Sequence, residues 1–203
     1  MYSKGPVVNL DRTQKAQMIE AFLIDGLGHE VAGLRVLDIG CGNGQISKYF
    51  ADRNEVFGVD VSDRRADKEC CSFTLVEDET LPFGGDSFDV VISHHVIEHV
   101  ENQPAHLAEI KRVLKPNGLA YVACPNGGSP LMAGHVGNDQ VPTLSGILQL
   151  LDDQGFQIEE CYTRLLKQPR KYHCETAVGR FVPTFFLKSM RRWYPGHCFL
   201  LRR

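Results

Sequence analysis

The sequence predicts one α/β domain, a doubly wound and mostly parallel sheet covered by helices on both faces. Three observations lead there. Apolar runs of strand length alternate with segments whose apolar residues recur at helical spacing, the order that gives right-handed crossovers and parallel strands. The first apolar run ends in a knot of glycines, "DIGCGNG", Asp38 to Gly44. The chain has 203 residues, and single domains commonly reach ~200 residues, so one sizeable core is expected and two would be cramped.

The elements follow in chain order. Asp11 can cap a helix over 12–27, in which Met18, Ile19, Phe22, Leu23 and Leu27 fall near one face. Residues 34–40 read as a buried strand from their aliphatic, β-branched run, 44–53 as a helix behind the glycines, and 55–60 as the second strand. The connection "VSDRRADKECCS" is short for a full crossover helix, and one or two helical turns are expected there. Residues 72–78 and 88–95 read as strands three and four, and 104–118 as a helix stopped by Pro116 and Gly118. Strand five covers 119–126. A Gly/Pro-rich insert, 124–142, leads to a helix over 144–155 ended by Gly155, then to strand six over 156–162.

Composition narrows the class. With 43% hydrophobic and 23% charged residues, and neither repeats nor low-complexity tracts, the chain is an ordinary globular one rather than a disordered one. The N-terminus has no apolar core of signal-peptide length, and no segment approaches the ~20 apolar residues of a membrane span. Seven cysteines, none spaced as CxxC and two of them adjacent (Cys70 and Cys71), fit neither a disulfide framework nor a structural zinc site. Reduced thiols in a cytoplasm are expected. The net charge of −3 conceals an asymmetry: residues 164–203 hold ten of the 22 Lys/Arg but one of the 25 Asp/Glu, Glu175.

In an open parallel sheet, ligands sit beyond the carboxyl ends of the strands, at the switch point beside the first strand. Gly40, Gly42 and Gly44 lie at that address. Glycine lets the backbone turn with positive φ and approach a ligand, while the following helix offers unpaired N–H groups. A dinucleotide fold expects G-x-G-x-x-G/A, whereas this chain has G-C-G-N-G with Gln45 at the third site. Asp38 lies inside the strand two residues before the first glycine, where a pyrophosphate tolerates no negative charge and a ligand bearing an ammonium welcomes one. A dehydrogenase remains the enzymatic alternative and predicts NADH binding insensitive to Asp38.

"VLDIGCGNG" resembles motif I of the class I S-adenosylmethionine-dependent methyltransferases, whose donor carries an α-ammonium and a sulfonium. The resemblance continues through "LPFGGDSFDVV", "VIEHVENQPAHLAEIKRVLKPNGLAYVACPN" and "GHVGNDQVPTLSGILQLLDDQGFQIEE", and covers about residues 30–163. It implies a Rossmann-like sheet of about seven strands, with "GHCFLLRR" as an antiparallel last strand, and S-adenosylmethionine as cofactor with S-adenosylhomocysteine as product. It also implies that Asp38, Gly40, Cys41, Gly42 and Gly44 surround the methionine portion. Asp60, ending strand two before Val61, would take both ribose hydroxyls. One of Glu77, Asp78 and Glu79 would face the adenine amino group, since one residue of slip reverses a strand side chain. Ser93 and His94 would border the cofactor at the end of strand four.

"SHHVIEHV" places His95, Glu98 and His99 at i, i+3 and i+4, on one face if helical. Three readings stay open. H-x-x-E-H is the inverted zinc-protease signature, though it sits here at the carboxyl end of a cofactor-binding sheet. The ubiquinone-type O-methyltransferases carry a similar stretch with glutamate at the His95 position, which implies a divalent ion near the acceptor. Hard cations prefer oxygen ligands, so His95 argues against one, and no metal is expected. The third reading has Glu98 and His99 orienting loops while His94 or His95 faces the pocket. A catalytic imidazole, from His95, His99 or His135 of the insert, suits proton removal from an attacking hydroxyl, its unperturbed pKa being ~6.5.

The tail "GRFVPTFFLKSMRRWYPGHCF", 179–199, interleaves Arg180, Lys188, Arg191 and Arg192 with Phe181, Phe185, Phe186, Leu187, Met190 and Trp193. It reads as a lid helix over the pocket or as a basic amphipathic segment contacting a membrane or a lipid-linked acceptor. The acidic body argues against nucleic acid. The expectation is a single methyltransferase domain: a helical cap over 1–33, a cofactor-binding core over 34–163, and a basic lid and last strand over 164–203. It would methylate a small-molecule acceptor, with lipid-linked and sugar-type metabolites among the candidates. The alternative is a non-catalytic binding or partner subunit that keeps the fold.

Overall fold

The computed structural model describes residues 11–129, 140–163 and 196–203. Its elements are α1 (Arg12–Leu27), β1 (Arg35–Ile39), α2 (Gln45–Ala51), β2 (Glu55–Asp60), β3 (Ser72–Leu75), β4 (Phe88–His94), α3 (Gln103–Val113), β5 (Leu114–Pro125), α4 (Leu144–Asp153), β6 (Gln157–Thr163) and β7 (Gly196–Arg202). They build one seven-stranded sheet in the order β3-β2-β1-β4-β5-β7-β6. The first five strands pair in parallel, and β7 runs antiparallel between β5 and β6. The expected Rossmann-like α/β sheet with its antiparallel last strand is therefore present.

Strand side chains alternate between the two faces with a period of two, and that alternation explains why these strands read as unbroken apolar runs. Val36 of β1, Val90 and Ile92 of β4, and Leu119 and Tyr121 of β5 pack with Ile19, Phe22 and Leu23 of α1 and Phe50 of α2. Their neighbours Leu37, Val91, Ala120 and Val122 pack on the other face with Leu107 and Ile110 of α3 and Ile147 and Leu151 of α4. β7 obeys the same rule: Leu200 joins the first cluster, Phe199 and Leu201 the second. A strand covered on both faces has no polar side to show.

α1 starts where the sequence indicates. Asp11 accepts from the Gln14 amide at 2.8 Å, and the Gln14 side chain returns a bond to the Asp11 amide, a reciprocal capping box that satisfies two orphan donors. α1 and α2 are tied by Glu20, which accepts from the Tyr49 hydroxyl at 2.5 Å and pairs with Arg53.

Three local expectations are corrected. The connection after β2 holds no helix. Asp60, Asp63 and Asp67 instead accept from the amides two residues on, those of Ser62, Arg65 and Glu69, and such local carboxylate turns compete with helical bonding. α3 stops at Val113 rather than 118, because the residue before Pro116 is pushed out of helical geometry. Leu114 is already extended, and Asn117 turns with φ 64°. After β4 the chain makes a tight turn instead of a helix: His95 has φ 60°, and the His99 amide donates to the Val96 carbonyl at 2.8 Å. His135 and residues 179–195 of the tail lie outside the described residues.

Candidate active site

The sheet's carboxyl edge opens on a cavity of about 760 Å³, within the ~300–1,000 Å³ that small molecules and cofactors usually occupy. Four loops build it. The first is the glycine turn after β1. Gly40 and Gly42 have φ of 65° and 57° and line the cavity. A Cβ at Gly40 would meet Val96 Cγ2 at 2.5 Å, whereas one at Gly42 would meet nothing nearer than 3.9 Å. Gly40 therefore lets the loop after β4 close on the loop after β1, and Gly42 keeps an open backbone against the cavity. Gly44 (φ 76°) caps α2 at its N-terminus and lies behind the cavity wall, where Cys70 and Arg65 pack on it.

Asp60, at the end of β2, supplies the second loop. It is 5% exposed, and its two oxygens accept from the Gly42 amide at 2.8 Å and the Ser62 amide at 3.1 Å. An ionised carboxylate has about four acceptor positions, so the pinned group keeps capacity for hydroxyl donors in the cavity. Val61 beside it is exposed and also lines the space. The third loop, after β3, contributes Val76, Asp78, Glu79 and Leu81. Asp78 and Glu79 reach the cavity; Glu77 is exposed and does not line it. Glu79 accepts from the Asn102 amide at 2.9 Å, which ties this loop to the start of α3 and holds its carboxyl below the usual range.

The fourth loop carries the histidines. His94, His95 and His99 all line the cavity. His94 stacks on Tyr121 with centroids 6.1 Å apart and meets His95 edge-on at 4.6 Å. His95 Nδ1 lies 3.0 Å from Oε1 of Glu98, which is 3% exposed. The two residues thus meet across a turn rather than along a helix face. Among the described residues no group of three His, Cys, Asp or Glu side chains is arranged to hold a metal ion.

Besides Gly44, three more of the expected residues lie behind the cavity. Asp38 is 2% exposed and accepts from the Ser47 hydroxyl at 2.5 Å, clamping β1 to α2 beneath the glycine turn. Burial pushes its carboxyl up to about 7, against smaller opposing effects of Ser47 and Arg12. Cys41 is buried against Gly58 and Cys71, and desolvation raises its thiol far above the ordinary range. Ser93 is buried, and its Oγ lies 3.1 Å from Nε2 of His106.

Sequence reasoning missed several contributors: the cations Arg12, Lys15 and Arg64, the apolar walls Val76, Leu81, Val96 and Val100, and His106. His106 did leave a signal. It falls on the buried stripe of α3 with Gln103, Leu107, Ile110 and Val113, a polar residue where helical spacing demands an apolar one. Burial lowers its pKa to about 4, so the ring is neutral.

Comparison with known proteins agrees with this geometry. Residues 37–122 match the family described as a methyltransferase domain. A ubiquinone biosynthesis O-methyltransferase of Rhizobium rhizogenes is 36% identical over 104 residues, 46% of this chain and 42% of that protein. A probable S-adenosylmethionine-dependent methyltransferase of Mycolicibacterium smegmatis is 31% identical over 147 residues, 66% of this chain and 56% of that one. The chain thus spans about half the length of these relatives. The crystal structure of an S-adenosylmethionine-dependent methyltransferase from Mesorhizobium loti superposes with a TM-score of 0.64 at 18% identity, covering 89% of this chain and 96% of that one. Glycine turn, terminal aspartate, strand order and these matches converge: residues 37–122 match the methyltransferase-domain family, and the sheet has the fold of the S-adenosylmethionine-dependent methyltransferases.

Proposed function

We propose that the cavity binds S-adenosylmethionine and that the protein transfers its methyl group to a small-molecule acceptor, releasing S-adenosylhomocysteine. The observation that carries this reading is the join between the glycine turn and Asp60. A positive-φ backbone that leaves open space at Gly42 donates its amide to a nearly buried carboxylate, and both face one cavity. The residues fit the donor. Asp60 would accept from the ribose hydroxyls, Asp78 and Glu79 from the adenine amino group, and Gly40 and Gly42 would lie along the methionine portion. Asp38, behind them, would set the loop through its bond to the Ser47 hydroxyl.

Bound there, S-adenosylmethionine supplies a sulfonium-activated methyl group, so the protein's own task is largely positioning. Val96 and Val100 would exclude water beside the acceptor, and His95 or His99 would take the proton of an attacking hydroxyl. Glu98 would hold the His95 ring in place through their 3.0 Å contact. The resemblance to ubiquinone biosynthesis O-methyltransferases supports a hydroxyl acceptor, with lipid-linked and sugar-type compounds as the classes to try first. None of the six described cysteines forms a disulfide, which supports a reducing compartment such as the cytoplasm.

The test is transfer of labelled methyl from S-adenosylmethionine across a panel of small hydroxy compounds, with nucleic acid and protein substrates alongside. Label on a small molecule supports the reading. Label on a macromolecule overturns the acceptor class, and donor binding without transfer to any acceptor favours the non-catalytic alternative.

A further inference from the structure

His106 is a buried cavity-lining side chain that the donor scheme above leaves without a role. It stands in the first turn of α3, 3% exposed, and its Nε2 lies 3.1 Å from Ser93 Oγ. Its other ring nitrogen, Nδ1, has no partner among the described residues, and it is absent from the buried atoms that lack one, so it reaches the cavity.

Proton accounting fixes what that nitrogen offers. Ser93 is fully buried in β4, and its hydroxyl has no acceptor among the described residues other than His106 Nε2. A buried hydroxyl proton left unbonded is costly, so Ser93 donates and Nε2 accepts. In a neutral imidazole the second nitrogen then carries the hydrogen. Nδ1–H is a donor turned into the cavity. Its neighbourhood is the loop after β3: Glu79 bonds the amide of Asn102, the residue that caps α3, and Glu109 of α3 accepts from the Leu81 amide. That wall therefore presents a neutral N–H donor beside the carboxylate acceptors Asp78 and Glu79.

We propose that His106 reads the purine of the donor, its Nδ1–H donating to a ring nitrogen while the neighbouring carboxylates take the exocyclic amino group. The proposal rests on the donor reading above. Donor and acceptor side by side match the amino group and adjacent ring nitrogen of adenine, and oppose a base that carries an oxo group in place of the amine. Ser93 acts through His106 by fixing the tautomer.

The experiment is calorimetric titration of the native chain, His106→Leu and His106→Asn with S-adenosylhomocysteine, and with the three analogues in which N1, N3 or N7 of the purine is replaced by C–H. Asparagine keeps a donor near the Nδ1 position; leucine removes it. We expect His106→Leu to bind S-adenosylhomocysteine about tenfold more weakly, the size of one hydrogen bond, and His106→Asn to recover most of that loss. One analogue should bind the native chain about tenfold more weakly and lose nothing more in His106→Leu. Equal affinity of native and leucine variants, or additive losses for all three analogues, overturns the assignment while leaving the donor reading intact. No binding by the native chain overturns both. Should the leucine variant not fold, nitrogen NMR of the native protein decides: protonation at Nδ1 is expected, and protonation at Nε2 contradicts the proposal.

Discussion

The loops after β1 and β4 meet where Gly40 faces Val96, yet they are built in opposite ways. The first works mainly through backbone: positive-φ glycines lining the cavity and the Gly42 amide turned to Asp60. The second works through side chains: the His94–Tyr121 stack, the His95–Glu98 pair and the His99 ring at the rim. A backbone site depends on conformation, so almost any substitution disturbs fold and binding together. A side-chain site stands on an intact scaffold, so its substitutions should change chemistry and leave stability nearly alone.

The largest expected effect separates these cases. His99 is exposed at the cavity rim, and His95→Asn keeps a residue tolerant of the left-handed conformation. If one of the two is the base, His99→Ala or His95→Asn should lower kcat by ~10² or more with donor affinity unchanged, as steady-state kinetics beside calorimetry will show. A parallel loss of donor affinity would break the distinction. Next comes Gly40→Ala. Its Cβ would clash with Val96 at φ 65°, and the sum of overpacking and a left-handed alanine should cost ~3 kcal/mol in denaturant unfolding. Gly42→Ala has open space and should cost ~1–2 kcal/mol from conformation alone, while still weakening donor binding because the methyl enters the cavity.

A pH-dependent effect concerns the clamp beneath the first loop. Burial raises Asp38 from 3.8 to about 7, so the folded state holds a proton that the unfolded chain releases between those values. Stability from this residue is then fully present below about 4 and falls as pH rises toward about 7. Asp38→Asn should flatten that part of the curve of melting temperature against pH. An unchanged slope would mean that Asp38 is ionised in the folded protein throughout.

The same contrast explains what the sequence made legible. The strands up to the sixth could be read because period-two alternation between two apolar faces leaves continuous hydrophobic runs, whereas β7, far from its neighbours in the chain, was expected from the family resemblance alone. Gly40 and Gly42 were legible because a backbone site admits few residue types, while Asp60 was expected from the family resemblance. Helical turns expected between Asp60 and Ser72 were wrong because three aspartates bond their own downstream amides, a competition invisible to hydrophobic period. Arg12, Lys15 and Arg64 were missed because they reach the cavity only after α1 and the segment after β2 fold over it. His106 was visible as an anomaly on an apolar stripe, but its meaning required knowing that Ser93 lies across from it.

The most direct test of the central claim is calorimetric titration of the purified protein and its Asp60→Ala variant with S-adenosylhomocysteine. Saturable one-to-one binding by the native chain and its loss in the variant are expected. No binding by the native chain, or equal binding by both, would contradict that claim.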